Sequence, residues 1–206
     1  SGSFGSVYVC KLQKRKTDVA VKIQAKVSSK YFKREADIMK FSHPNLVRIF
    51  GTVKNESQDQ SFEKVERVIL MEYCNLGNLK DVKGDLTDYQ KLLVFSDISN
   101  GLRYLHFKDF THRDLNPANV VLSGKSVESF FIAKITDFGL SRQIDPPDMT
   151  CKTGTPIYSA TEVFVTQSNY NEKADIFSLS VTVYEIYFKK DLLDEIYKDL
   201  CEASDI

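Results

Sequence analysis

Residues 110–122 read Phe-Thr-His-Arg-Asp-Leu-Asn-Pro-Ala-Asn-Val-Val-Leu and form the most informative segment of the sequence. Asp114 and Asn119 stand on a predicted loop that leads into a short apolar run. At this spacing the two side chains can face one site, where one accepts a hydroxyl proton and the other binds a metal ion. The stretch therefore predicts a catalytic loop that enters a strand.

Downstream, Ile135-Thr-Asp-Phe-Gly139 offers a second carboxylate, Asp137, at the end of another β-type run. Mg²⁺ is commonly held by one or two carboxylates together with the phosphates of a substrate. Asn119 and Asp137 are therefore the candidate metal ligands.

Upstream, Ser1-Gly-Ser-Phe-Gly-Ser-Val7 predicts a glycine-rich turn between strands. Glycine allows backbone N–H groups to approach phosphate oxygens, although two glycines in a hairpin more often have a purely structural role. Lys22 ends the β-type run Asp18–Ile23, and Glu35 lies on a predicted helix over about residues 29–41. A lysine held by that glutamate could point its ammonium at anionic oxygens.

Further elements follow from periodicity. Strands are predicted at Leu46–Val53, Val68–Tyr73, Val120–Leu122 and Phe131–Ile135. Helices are predicted at Tyr89–His106, Ala174–Phe188 and Leu192–Cys201, with Cys74–Gly77 as a hinge between the two halves. The strand-rich first half and the helical second half indicate an α+β protein.

Composition excludes several classes of protein. The 206 residues carry 28 Lys plus Arg against 28 Asp plus Glu, and 42% are hydrophobic. This balance argues against a disordered chain and against a nucleic-acid binder that relies on bulk positive charge. No apolar run approaches the roughly 20 residues of a membrane helix. The four cysteines lack zinc spacing, so we expect reduced thiols in a cytoplasmic protein.

Taken in order, these motifs resemble the eukaryotic protein kinase family, and the resemblance covers essentially the whole chain. The motifs are Gly2-x-x-Gly5-x-Val7, Val19-Ala-Val-Lys22, Glu35, His112-Arg-Asp114, Asn119, Asp137-Phe-Gly139 and Ala160-Thr-Glu162. The resemblance implies a bilobal α+β fold. Residues 1–73 would form a small antiparallel N-lobe with one helix, and residues 74–206 a mainly helical C-lobe. It also implies a catalytic domain that is truncated at both ends.

The resemblance implies a set of residues that bind ATP. Gly2 and Gly5 would cover its phosphates, and Lys22, paired with Glu35, would hold the α- and β-phosphates. The residues that would surround or bind the adenine are Val7, Ala20, Val121, the gatekeeper Met71, and the backbone of Glu72 and Cys74.

It also implies the catalytic roles. Asp114 would orient the substrate hydroxyl and accept its proton, while Asn119 and Asp137 would hold two Mg²⁺ ions. Asp175 would anchor the catalytic loop. The implied cofactors are ATP and Mg²⁺, and the implied partner is a protein substrate.

Regulation and substrate class can be inferred in the same way. Arg113 would pair with a phosphorylated activation segment, and Thr150 or Thr153 is the expected site of phosphorylation, by an upstream kinase or by autophosphorylation. Thr155 resembles the threonine that contacts the catalytic aspartate in serine/threonine kinases. Asn116 stands where most of these kinases carry lysine, which is most similar to the tyrosine-kinase-like group.

Two functions remain open at this point. The first is an Mg²⁺- and ATP-dependent protein kinase that acts on serine or threonine. The second is a pseudokinase-like scaffold or nucleotide-binding module without phosphate transfer. The presence of Lys22, Asp114, Asn119 and Asp137 favours the kinase.

Overall fold

The computed structural model describes residues 6–12, 16–24, 38–54, 67–82, 84, 86–143, 155–165 and 171–188. Its strands are β1 Ser6–Leu12, β2 Thr17–Gln24, β3 Ile49–Lys54, β4 Arg67–Glu72, β5 Phe110–Thr111, β6 Val120–Gly124, β7 Phe131–Ile135 and β8 Arg142–Gln143. Its helices are α1 Leu79–Val82, α2 Asp88–Phe107, α3 Thr161–Val165 and α4 Lys173–Phe188. Among these ranges, no helix combines the length and apolarity needed to cross a bilayer.

The first four strands form one antiparallel sheet in the order β1-β2-β4-β3. β2 and β4 are central, and they contribute the buried side chains Val19, Ala20 and Ile69. Two smaller antiparallel sheets, β5-β8 and β6-β7, belong to the second half. A β-sheet followed by a mainly helical half confirms the predicted α+β architecture.

Helix α2 begins with a capping box. The Thr87 hydroxyl accepts from the Gln90 backbone N–H at 3.3 Å, and the Gln90 side chain accepts from the Thr87 backbone N–H at 2.9 Å. These two bonds satisfy amide groups that a helix start otherwise leaves unpaired. They explain why the helix begins at Asp88, one residue before the predicted start.

The sequence predicts a broad apolar stripe on α2 that includes Leu92, Leu93 and Phe95, and it predicts a buried helix, apolar nearly all round, at Ala174–Phe188. Both predictions are wrong in part. Leu92, Leu93 and Phe95 are exposed, whereas Val94, Ile98, Leu102 and Leu105 are buried. The prediction was too broad because only one side of α2 packs against β7 and α4. Helix α4, expected to be buried all round, likewise exposes several aromatic side chains, which are Phe177, Tyr184, Tyr187 and Phe188.

The two halves share one hydrophobic core. Ile49 and Ile69 of the first sheet belong to the same buried cluster as Ile98 and Leu102 of α2. Backbone bonds join the halves as well, since Val47 N–H donates to Ile135 and Ile135 N–H donates to Asn45, both at 2.9 Å. These bonds and the shared core hold the two halves together.

Candidate active site

A cleft of about 490 Å³ lies between the first sheet and the catalytic-loop segment. Its walls bring together ten of the predicted site residues, namely Val7, Ala20, Lys22, Met71, Glu72, Cys74, Asp114, Asn119, Val121 and Asp137. The other three, Gly2, Gly5 and Glu35, lie outside the described residues, as do Thr150 and Thr153. The cleft therefore brings together predicted site residues from segments that lie far apart in the chain.

Lys22 is held at the back of the cleft by its pairing on β2. Its neighbours in the sheet are Val7 on β1 and Ile69 on β4, and the residue is 6% exposed. The Lys22 ammonium lies 2.7 Å from Asp137 Oδ1. A buried ammonium needs such a counter-charge, because burial without one is costly. The predicted pairing with Glu35 lies outside the described residues.

Asp137 occupies an unusual backbone conformation. It follows β7 with φ 61° and ψ 67°, in the left-handed region, and a short 3₁₀ turn, Phe138–Leu140, begins next. Aspartate tolerates this region better than most residues, because its short polar side chain can bond locally. The bend places the Asp137 carboxylate in the cleft, and the buried Phe138 ring contacts the His112 ring edge-on at 5.7 Å.

The Asp114 carboxylate is held by donors from three residues. Its Oδ1 accepts from the Thr155 backbone N–H at 2.9 Å and from the Thr155 hydroxyl at 3.0 Å. Its Oδ2 accepts from the Asn119 amide at 3.0 Å, and the Asn116 amide lies 3.4 Å from Oδ1. The carboxylate is thereby fixed in one orientation at the mouth of the cleft.

The catalytic loop is anchored from below by a fully buried carboxylate. Asp175, at the start of α4, accepts backbone N–H bonds from His112 at 2.8 Å and Arg113 at 2.9 Å. His106 Nε2 of α2 lies 2.8 Å from Asp175 Oδ2, the same oxygen that accepts from His112. Arg113 has φ 71°, a conformation that these bonds help to maintain. The predicted anchoring role of Asp175 agrees with these contacts.

The hinge strand is held by an ion pair that the sequence did not reveal. Lys134 Nζ on β7 lies 2.8 Å from Glu72 Oε1, and the Glu72 carboxylate also accepts from the Arg48 backbone N–H at 3.2 Å. The pair ties the end of β4 to the strand that leads into Asp137. Residues 62 positions apart make it, so no local pattern could have indicated it.

Cys74, the first residue of the predicted hinge Cys74–Gly77, lines the cleft. Burial, with a further contribution from the Glu72 charge, raises the pKa of its thiol to about 12. The thiol is therefore protonated at neutral pH and acts as a small apolar lining group.

The donor chemistry of the cleft fits Mg²⁺. The Asn119 amide nitrogen donates to the Asp114 carbonyl at 2.8 Å as well as to its carboxylate, so the amide oxygen is the end available to a cation. Asp137 supplies a carboxylate. Within the described ranges, no group of three His, Cys, Asp or Glu side chains could hold a metal alone. This set suits a cation that takes its remaining ligands from phosphates and water.

The chain is similar in sequence to known proteins. The family model described as "Protein kinase domain" matches residues 1–205. RGS domain-containing serine/threonine-protein kinase A of Dictyostelium discoideum is 34% identical over 95% of this chain and 17% of its own length. Calcium-dependent protein kinase 3 of Plasmodium yoelii yoelii is 34% identical over 90% of this chain and 34% of its own length.

A plant protein is similar too. Serine/threonine-protein kinase ATG1a of Arabidopsis thaliana is 30% identical over 94% of this chain and 31% of its own length. The chain thus spans about a third or less of each of these relatives. The family model matches nearly every residue, including those that line the cleft. This match shows that the chain belongs to the protein kinase family.

Proposed function

We propose that the protein transfers the γ-phosphate of ATP to serine or threonine hydroxyls of protein substrates. The observation that supports this most directly is the pair of bonds from Thr155 to Asp114 Oδ1. They orient a carboxylate beside a cleft that also holds a buried lysine and two potential metal ligands. Relatives named as serine/threonine kinases support the choice of hydroxyl.

The residues of the cleft have separate roles in the proposed phosphate transfer. Lys22 neutralises phosphate charge, while the hinge backbone at Glu72 and Cys74 binds the adenine edge. Asp114 Oδ2 accepts the proton of the substrate hydroxyl. At the same time the hydroxyl oxygen of the substrate forms a bond to the γ-phosphorus, and the bond between that phosphorus and the ADP oxygen breaks. Mg²⁺, held by Asn119 and Asp137, would screen the phosphate charge. Most of the rate enhancement then comes from positioning and electrostatics.

The finer assignments are proposals of the same kind. Asn116 and the hinge Met71–Cys74 support placement in the tyrosine-kinase-like group. The four cysteines, which form no C-x-x-C pair and show no zinc spacing, support a cytoplasmic location. We propose Thr150 or Thr153 as the activating phosphorylation site, to be tested by mass spectrometry of active protein. Modification at neither residue would contradict that assignment.

The function is tested by phosphate incorporation. The full-length protein is incubated with radiolabelled ATP, Mg²⁺ and a generic protein substrate, and labelled residues are identified after acid hydrolysis. We expect phosphoserine or phosphothreonine, with a loss of about a hundredfold or more in Asp114→Asn. Equal labelling by the parent protein and the variant would refute the proposed kinase activity and would favour the pseudokinase-like scaffold. Phosphotyrosine alone would refute the substrate class.

A further inference from the structure

Asn116 is a buried polar residue in the cleft whose role does not follow from its position in the sequence. It is 7% exposed and lines the cleft beside Asp114. At this position the resemblance implied only the loss of a lysine cation. Its contacts show that both ends of its amide are engaged.

The oxygen end of the Asn116 amide shapes the loop. Its Oδ1 accepts from the backbone N–H of Ala118 at 3.0 Å and of Asn119 at 3.3 Å. It therefore caps the short 3₁₀ turn Pro117–Asn119 that carries a proposed metal ligand. A lysine would supply no acceptor for these two amide groups.

The nitrogen end of the amide faces Asp114. Its Nδ2 donates to the Asp114 carbonyl at 3.1 Å and lies 3.4 Å from Asp114 Oδ1. Together with the two donors of Thr155, three donors surround Oδ1, whereas Oδ2 accepts from Asn119. The crowding at Oδ1 leaves Oδ2 with more capacity for a further hydrogen bond.

We propose that Asn116 is a positioning residue that holds Asp114 and Asn119 in register, so that Asp114 Oδ2 receives the substrate proton. The inference rests on the proposed kinase function. The residue works through hydrogen bonds on both sides and supplies no charge to the phosphates. Loss of the nitrogen end should therefore slow transfer while leaving the affinity for ATP unchanged.

Two substitutions isolate the nitrogen end. Asn116→Ser keeps an oxygen that can cap the turn but lacks the amide donor. Asn116→Asp is isosteric and also keeps the cap, but it turns an acceptor and a negative charge towards Asp114. We expect kcat to fall about tenfold in the Ser variant and about a hundredfold in the Asp variant. The KM for ATP should stay within about twofold of the parent value.

Matched changes at Asn171 serve as controls. Asn171 Oδ1 accepts from the Lys173 backbone N–H at 2.9 Å near the start of α4, outside the cleft. Asn171→Ser and Asn171→Asp make the same chemical changes and should leave kcat unaltered. Unfolding temperature and the number of ATP-binding sites are measured for every variant.

The outcomes are separable. Parent-like kcat in both Asn116 variants would overturn the inference, and so would a fall in kcat that tracks a loss of folded, ATP-binding protein. If even the parent shows no Asp114-dependent labelling, the proposed function has failed. In that case NMR tests only the contact between the Asn116 amide and Asp114. The side-chain amide signals of Asn116 should shift in the variant Asp114→Asn. Unshifted signals would overturn the contact as well.

Discussion

The hydroxyl of Thr155 helps to hold the Asp114 carboxylate in one orientation. It donates to Asp114 Oδ1 at 3.0 Å, and the backbone N–H of the same residue donates at 2.9 Å. A hydrogen bond to a charged group contributes about 1.5–3 kcal/mol. Thr155 thus links the segment that leads into α3 to the Asp114 carboxylate.

Replacing Thr155 by valine should slow catalysis. Thr155→Val keeps the shape but removes the hydroxyl donor, so the carboxylate gains freedom to rotate. We expect kcat to fall about tenfold, measured by steady-state phosphorylation. Thr155→Ser retains the hydroxyl and serves as the control. A valine variant as active as the serine variant would contradict the role.

Cys74 should resist alkylation at neutral pH. Its raised pKa, about 12, leaves almost no thiolate, and thiolate is the reactive form. Timed labelling with a maleimide and peptide mass spectrometry should show modification of the exposed Cys10 well before Cys74. The Cys74 rate should rise about tenfold for each pH unit from 7 to 9. Equal rates for the two thiols at pH 7 would contradict this.

The residues that the sequence predicted and those that it missed differ in kind. Asp114, Asn119 and Asp137 could be predicted because carboxylate and amide side chains on loops next to apolar runs are typical of sites that bind Mg²⁺ and phosphates. Lys134 and His106 could not, because their partners, Glu72 and Asp175, lie 62 and 69 positions away. Only the packing of distant elements brings them together.

At the scale of elements, Gly101 explains how closely α2 approaches the junction of the halves. A Cβ at this position would lie 2.8 Å from the Asn45 carbonyl oxygen and 3.0 Å from the Ile135 side chain. Asn45 and Ile135 are the residues whose backbones bond across the junction. Glycine is therefore required here for a close approach of backbones.

Gly101→Ala should destabilise the fold. The added methyl meets backbone, which costs about 1–3 kcal/mol, and this exceeds the roughly 1 kcal/mol that alanine gains in a helix. Urea unfolding should show a lower midpoint than in the parent. Gly84→Ala is the matched control, because nothing lies within 4 Å of its Cβ position. Equal midpoints for the two variants would contradict the packing argument.

The strand and helix boundaries show what periodicity can and cannot supply. Strand β7 agreed with its prediction because it is a short apolar run with a clear partner in β6. The strand predicted from Leu46 begins only at Ile49. Asn45, Leu46 and Val47 pair instead with Ile135 of the other half. An apolar run indicates burial, but it does not say which strand lies alongside.

At the scale of the whole molecule, Asp175 connects α4 to the catalytic loop and to α2. The carboxylate is 0% exposed and accepts from two backbone amides. A buried carboxylate of this kind is tolerated because hydrogen-bonding groups surround it: two backbone N–H groups donate to it, and His106 Nε2 lies 2.8 Å from it. The geometry of the cleft therefore depends on a residue that does not line it.

Asp175→Asn should impair both stability and activity. The side-chain amide of asparagine would direct its own N–H group at a backbone N–H of His112 or Arg113, where no acceptor is available. We expect the free energy of unfolding to fall by roughly 3 kcal/mol. Chemical denaturation measures this directly. Asp88→Asn removes an exposed partner of Lys91 and should cost no more than about 1 kcal/mol. A larger loss at Asp88 than at Asp175 would contradict the anchoring role.

The anchor also sets the order in which the site matures during synthesis. The amide groups of His112 and Arg113 meet Asp175 across 63 and 62 residues of chain. A ribosome adds about 5–20 residues per second, so Asp175 is made about 3–12 s after the loop that it secures. A nascent chain that already contains Lys22, Asp114 and Asp137 still lacks the support beneath its catalytic loop. During translation, the loop therefore stays without this anchor until Asp175 has been added to the chain.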